Sequence, residues 1–245
     1  MTEPAGVEVG TRRVRPMLGG LAVADTDAPL LVWEHRGYPI YYFPRADVRA
    51  ELRPTGVTHA VASVGEGLRH DVVLGARFAG GAAVTFPDAP APLNHAVRFD
   101  WDAMDEWLEE DEPVYTHAHD PYKRIDVLAS SRHVLVELDG VTVAETRRPQ
   151  ILFETSLPPR YYVPIADVRM QLLVPSEHHT HCAYKGEASY WSVDTGAHVH
   201  TNIAWIYRTP FAEVIRIAGM VCFFNERVDL TVDGVLHERP RTPFS

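Results

Sequence analysis

Between His178 and Trp191 the chain places three histidines, one cysteine, two tyrosines and one lysine within fourteen residues. Three readings of this segment compete. In the first, Lys185 is a general base, a Schiff-base former or an anchor for an anionic ligand, with Tyr184 as its acid–base partner. A partly buried lysine sheds its proton more readily than an exposed one, which suits proton abstraction or imine formation. In the second, Cys182 is a nucleophile. Its neighbour His181 would face the other side of the strand, so the activating base is expected to be His179, or His198 or His200 from another strand. The third reading is structural, with Cys182 buried, Tyr184 and Tyr190 filling the core and Lys185 exposed in a turn.

Metal binding is a separate question. His117-x-His119, His179-x-His181 and His198-x-His200 each put two imidazoles on one face of an extended strand, and Asp120 could add an oxygen. Each pair still needs a third ligand, and no Cys-x-x-Cys is present, so neither a metal nor another cofactor is expected. Nucleotide-binding loops of the Gly-x-x-x-x-Gly-Lys-Ser/Thr and Gly-x-Gly-x-x-Gly types are missing, as is a Gly-x-Ser-x-Gly elbow. The polar run His117–Asp126 falls between the two halves of the chain, where a ligand site is favoured. Its plain reading is a solvated linker.

What positions these groups is a repeat. Residues 134–174 align without gaps to residues 14–54, displaced by 120, with 17 identities in 41 positions. The identities include Glu34/Glu154 and the run Tyr41-Tyr42-x-Pro44-x-Ala46-Asp47-Val48-Arg49 against Tyr161-Tyr162-x-Pro164-x-Ala166-Asp167-Val168-Arg169. Two copies of one small fold are therefore expected. Sliding the first copy against the reactive segment sets Val61, Ser63 and Val64 opposite Cys182, Tyr184 and Lys185. The turn glycine survives while the ionisable groups are lost, and this asymmetry points to the second copy as the functional one. A buried Glu34 or Glu154 beside Arg49 or Arg169 would be a structural ion pair or part of a pocket present in both halves. Its retention in both copies favours structure.

The local pattern is β. His133–Glu145 reads as two alternating strands joined by Asp139-Gly140, a pair suited to a type I′ turn; the first copy has Gly19-Gly20 there. Pro164 starts a helical turn over 165–170. Further strands are expected near 180–184, 189–194, 198–207 and 219–224, with helical turns within 210–216. The Pro-rich stretch 85–95 reads as a loop. Over 100–111, Trp101, Met104, Trp107 and Leu108 fall on one helical face, which predicts a short amphipathic helix with Asp102, Asp105, Glu106, Glu109 and Glu110 solvated. The expected division is a first repeat over 12–112, a linker over 113–130, a second repeat over 131–237 and a tail over 238–245.

Composition sets outer bounds. The chain has 245 residues, 46% apolar and 23% charged, enough for two independent cores. A formal net charge of −10 argues against nucleic-acid and acidic-membrane partners. Two cysteines, Cys182 and Cys222, make no disulfide framework, and with no signal-peptide pattern the expected location is a reducing cytoplasm. Cys222 sits in an apolar run and is expected to be buried.

The segments Leu152-Phe153-Glu154-Thr155…Pro158-Pro159-Arg160-Tyr161-Tyr162, Thr180-x-Cys182-x-Tyr184-Lys185-Gly186-x-Ala188-Ser189-Tyr190, Ala204-Trp205-x-Tyr207 and Ile217-Ala218-Gly219…Phe223-Phe224-Asn225-Glu226-Arg227 resemble the domain-of-unknown-function family 427, which also carries a nucleotidyltransferase-like name. The resemblance spans nearly all of 131–235, with 12–100 as a diverged copy, and tandem forms are common in actinobacteria. It implies a mainly β protein made of two tandem antiparallel coiled-sheet domains, β-tent-like, although the zinc-binding cysteine pairs of β-tent folds are absent here. It supplies no reaction. Its motif positions point to Glu154, Tyr161, Tyr162, Arg169, Cys182, Tyr184, Lys185, Tyr190 and Trp205.

The leading expectation is a small-molecule enzyme with its pocket in the second domain. Lys185 and Tyr184 would do acid–base or anion-anchoring work and Cys182 would line the pocket. Arg169 would hold a carboxylate or phosphate, and Trp205 and Tyr161 would form an apolar wall. The alternatives are a non-catalytic ligand-binding module with an aromatic pocket, and an acidic scaffold for a protein partner.

Overall fold

The structure is a computed structural model, and it describes residues 5–245. The chain divides into two compact units, meeting at Asp120 and Pro121. Each unit is built from one seven-stranded and one four-stranded antiparallel sheet, with the same strand order in both. The fold is mainly β, two tandem copies of one antiparallel design.

In the second unit the long sheet runs Ile125–Ala129, Gln150–Glu154, Arg160–Pro164, Met220–Phe223, Val199–Tyr207, Gly186–Asp194, Leu173–Cys182. The short sheet runs Val141–Thr146, Val134–Leu138, Asp229–Val232, Val235–Leu236. The Asp139-Gly140 turn has φ of 51° and 74°, and Gly19-Gly20 has 56° and 77°, so both copies use the left-handed pair that a type I′ hairpin requires.

Strand periodicity sorts the side chains of the long sheet between two cores. Tyr161, Val163, Ala204 and Ile206 face the short sheet and pack with Val134, Val136, Leu138 and Leu230. Tyr162, Trp205, Tyr207 and Cys222 point to the other face, where they pack with Val127, Leu152, Val214 and Ile217. The residues that cover this outer face come from the 3₁₀ segment Ala212–Ile217 and the edge strand Ile125–Ala129. That strand pairs with Gln150–Glu154, so residues 125–129 of the expected linker extend the second sheet.

The expected helix over 100–111 does not form. Trp101–Ala103 is a single 3₁₀ turn, and Glu106–Glu109 is a strand paired with Val14–Met17. Period-two burial wins over the helical pattern, because Trp107 and Glu109 are buried while Glu106 is exposed. The apolar spacing that suggested a helix comes instead from a tight turn that stacks Trp101 on Trp107, with ring centres 4.5 Å apart. Glu109 therefore belongs to the interior, and the acidic helix on which a scaffold reading rested is not there. After Thr85 the Pro-rich stretch carries one 3₁₀ turn, Leu93–His95. No helix among the described residues is long and apolar enough to cross a membrane.

Candidate functional site

Lys185 ends the turn between the strands Leu173–Cys182 and Gly186–Asp194, and its carbonyl accepts from Phe211 N–H at 3.3 Å. Gly186 follows at φ +91°, a conformation that only glycine adopts at little cost, and this fixes where the lysine leaves the sheet. The side chain is not a solvated turn residue. Its exposure is 12%, and Nζ donates to Glu154 Oε2 at 2.5 Å. Glu154, itself 8% exposed, has a second ammonium at Oε1, Lys123 Nζ at 3.4 Å. Lys123 also donates to the Thr155 carbonyl at 2.9 Å.

Burial alone would draw the Lys185 pKa down. The neighbouring Cys182 and Glu154 overcome it, and the amine is held above its ordinary range. Lys185 is therefore an ammonium at neutral pH, which disfavours a general base or an imine former and favours an anion anchor or proton donor. The phenols around it are neutral. Burial raises Tyr162, Tyr190 and Tyr207, and Tyr162 oxygen accepts from Trp205 Nε1 at 3.2 Å. Burial also pushes the Cys222 thiol up to about 12, so it is an inert packing group. Tyr190 bonds Thr180 Oγ1 at 2.9 Å, which directs its ring toward Phe224.

Lys185, Glu154, Cys182, Tyr162, Tyr190 and Trp205 thus come together on the outer face of the long sheet. Tyr184 lies half-buried in the same turn. Tyr161 and Arg169 do not join them. Tyr161 faces the inter-sheet core, and Arg169 is exposed, with its backbone N–H bonded to Val143 O. The expected pairing of Glu34 or Glu154 with Arg49 or Arg169 is also absent: Arg49 binds Asp25, and each glutamate finds other cations.

His179 is not placed to activate Cys182. Three positions along a strand reverse the face, so His179 shares with His181 the face opposite Cys182, and both bond Glu187, at 2.8 and 3.2 Å. His198 and His200 converge instead on Asp139 Oδ2, at 3.2 and 2.8 Å. In the first unit His117 stacks on Tyr38 and His119 bonds Glu109. Among the described residues no group of three or more His, Cys, Asp or Glu side chains is arranged to hold a metal.

The first unit shows what replaced the site. Tyr42 OH donates to Glu34 at 2.9 Å, and Arg98 Nε lies 2.9 Å from the same carboxylate. Arg98 also reaches Asp100 at 2.5 Å, and Arg69 binds Asp100 at 2.7 Å and His59 at 3.2 Å. By register Arg98 stands at the place of Cys222, Arg69 at that of Tyr190 and Val84 at that of Trp205. The diverged copy has therefore exchanged an aromatic and thiol lining for an internally balanced ion network. At the turn itself Val64 lines an open cleft of ≈ 470 Å³ with Ala5, Val7, Ser63 and Leu93.

Lys123, Tyr207 and Phe224 stand beside these groups without having been singled out from the sequence. Tyr207 and Phe224 lie inside the quoted motifs, so the signal was present; Lys123 carried none beyond its place in a polar run.

The profile of a family described as "Domain of unknown function (DUF427)" matches this chain twice, over residues 7–110 and 126–234. Among curated proteins none matches.

Proposed function

The chain belongs to the DUF427 family as a tandem pair, and from that premise we propose that its second unit carries a small-molecule site centred on Lys185. One observation carries the reading. Glu154 is shared by two ammonium groups, Lys185 and Lys123, on a sheet face that also carries the neutral phenols Tyr162, Tyr190 and Tyr207, whereas its counterpart Glu34 sits in a network whose charges balance. Two cations against one carboxylate leave one positive charge, partly desolvated, for which a carboxylate or phosphate of a ligand is the natural partner.

In this reading Lys185 and Lys123 anchor the anionic group. Lys185, held protonated, is the proton donor of any acid–base step, and Tyr184 on the same turn is the second proton carrier. Cys182 lines the pocket, and Trp205, Tyr162 and Tyr190 form its apolar wall. The balance between Lys185 and Glu154 makes acid catalysis or electrostatic anchoring more fitting than base catalysis. Both cysteines are free thiols, in keeping with a reducing cytoplasm, and the net charge of −10 disfavours nucleic acid and acidic membranes.

A second reading, a binding module without turnover, draws on the same aromatic wall: Trp205 and Phe224 ring centres are 4.6 Å apart and Tyr190 stacks on Phe224. A thermal-shift screen of anionic metabolites on wild type and Lys185→Met tests both. Compounds that stabilise wild type and lose most of that shift in Lys185→Met are expected. Equal shifts in the two proteins would refute the anchoring role, and consumption of a hit would decide for an enzyme.

A further inference from the structure

We propose that Arg160, Trp205 and Phe224 form a subsite for a flat aromatic group, and that Phe244 of the chain's own last residues occupies it as an internal stand-in. The inference deepens the Lys185 reading by naming the rest of the ligand, yet its geometry stands on separate residues. The Phe244 ring centre lies 6.2 Å from that of Phe224 and 5.7 Å from Arg160 Cζ. The same guanidinium lies 5.7 Å from the Trp205 ring centre. Arg160 is fixed there by Glu226 through two bonds of 2.7 Å, so its planar cation is presented to the rings at no further ordering cost.

The occupying segment is held lightly. Thr242 Oγ1 donates to Glu226 Oε1 at 2.6 Å, and the Phe244 ring makes the apolar contact. Its other bonds are local: Thr242 N–H to Ser245 Oγ at 2.9 Å, Phe244 N–H to Thr242 Oγ1 at 3.0 Å, Ser245 N–H to Thr242 O at 3.1 Å and Ser245 Oγ to Pro240 O at 3.3 Å. Phe244 remains 48% exposed, a ring seated against the subsite and not enclosed by it. An incoming molecule with an aromatic ring over Arg160 and a hydroxyl or amide N–H at Glu226 reproduces both contacts and displaces the segment.

Among the described residues the first unit has nothing comparable. Register places Ile40 at the position of Arg160 and Val84 at that of Trp205, and Asp100 follows Phe99 where Phe224 follows Phe223. The aromatic subsite and the Lys185 site thus occur in the same copy. Tyr190 joins them, stacking on Phe224 while standing in the electrostatic field of Lys185 and Cys182. The ligand class is therefore a small aromatic anion.

The test uses 8-anilinonaphthalene-1-sulfonate, an aromatic anion, titrated by fluorescence into the 245-residue chain. Phe244→Ala and Thr242→Val are each expected to bind it about fivefold more tightly than wild type, and a peptide of sequence Glu238–Ser245 added in trans should compete the gain away. Melting curves of the variants, with peptide competition, separate an uncovered site from a loosened core. Unchanged affinity in both variants, or a gain that the peptide does not reverse, overturns the proposal. Adding Lys185→Met to Phe244→Ala tests the other end of the ligand. A drop in affinity supports the shared site, whereas an unchanged value removes the Lys185 reading and leaves the aromatic subsite standing.

Discussion

Lys185→Met removes one partner of a pair whose side chains are only 12% and 8% exposed and whose charged atoms lie 2.5 Å apart. Breaking such a pair from one side costs about 3–5 kcal/mol, because the remaining charge stays buried without its partner. Here Lys123 remains 3.4 Å from Glu154 and absorbs part of the loss, so about 2–3 kcal/mol is expected. Adding Glu154→Gln removes the buried carboxylate that the single variant leaves short of a cation, so the double variant should recover part of the loss, Lys123 then being the ammonium without its partner. Because the two units need not unfold together, the suitable assay is native-state hydrogen exchange. Protection of the Gly186–Asp194 strand should fall about 30- to 150-fold in the single variant, while Gly65–Leu74 of the first unit serves as the internal control. The same pair gives a pH signature. Burial opposes the ammonium but Cys182 and Glu154 prevail, so the folded-state pKa of Lys185 lies above its ordinary 10.5. Its contribution is complete below that value and disappears as pH rises through the folded-state pKa, a loss that Lys185→Met abolishes. A single variant within about 0.5 kcal/mol of wild type, or a double variant weaker than the single, would refute the reasoning.

Two other perturbations separate the units. Burial opposes ionisation of Glu109, but bonds from His119, Tyr41 and Arg12 outweigh it and hold its pKa at about 2, against an ordinary 4.5. Its contribution of about 3 kcal/mol is full above pH 4.5 and is lost as pH falls through the folded-state value, so acid titration should weaken the first unit selectively and Glu109→Gln should flatten that dependence. Gly67→Ala would set a Cβ 2.7 Å from Val84 Cγ1 and 2.8 Å from Phe86, costing about 1–3 kcal/mol in chemical denaturation of the first unit. The second unit carries Ala188 at the corresponding place, so Ala188→Gly there should instead leave a small cavity.

The fold was legible where local chemistry and periodicity agree. Asp139-Gly140 announced its hairpin, and the repeat announced two copies of one fold. The pattern at Trp101, Met104 and Trp107 misled, because apolar spacing produced by a turn and a short strand imitates a helix over so few residues. In the site, the loss of Cys182, Tyr184 and Lys185 from the first copy directed attention to the 182–186 turn, since those changes are visible residue by residue. The partners of Lys185 were not legible. Glu154 lies 31 positions away, and Lys123 comes from a stretch that looked like linker. Arg169 looked equally suitable as an anion ligand, yet the Ile165–Asp167 turn sends the chain toward the short sheet, where Arg169 N–H bonds Val143 O. The exchange of Cys222 for Arg98 falls outside the gap-free alignment and became visible only through strand register.

The central claim is that a partly desolvated positive charge beside an aromatic wall makes the second unit the ligand-binding one. Methyl and aromatic NMR spectra of the full chain, recorded against a set of small aromatic carboxylates and phosphates, test it most directly. The expected result is shifts concentrated on the rings of Tyr190, Trp205 and Phe244 and absent from Lys185→Met. Shifts confined to the first unit, or identical shifts in the variant, would contradict it.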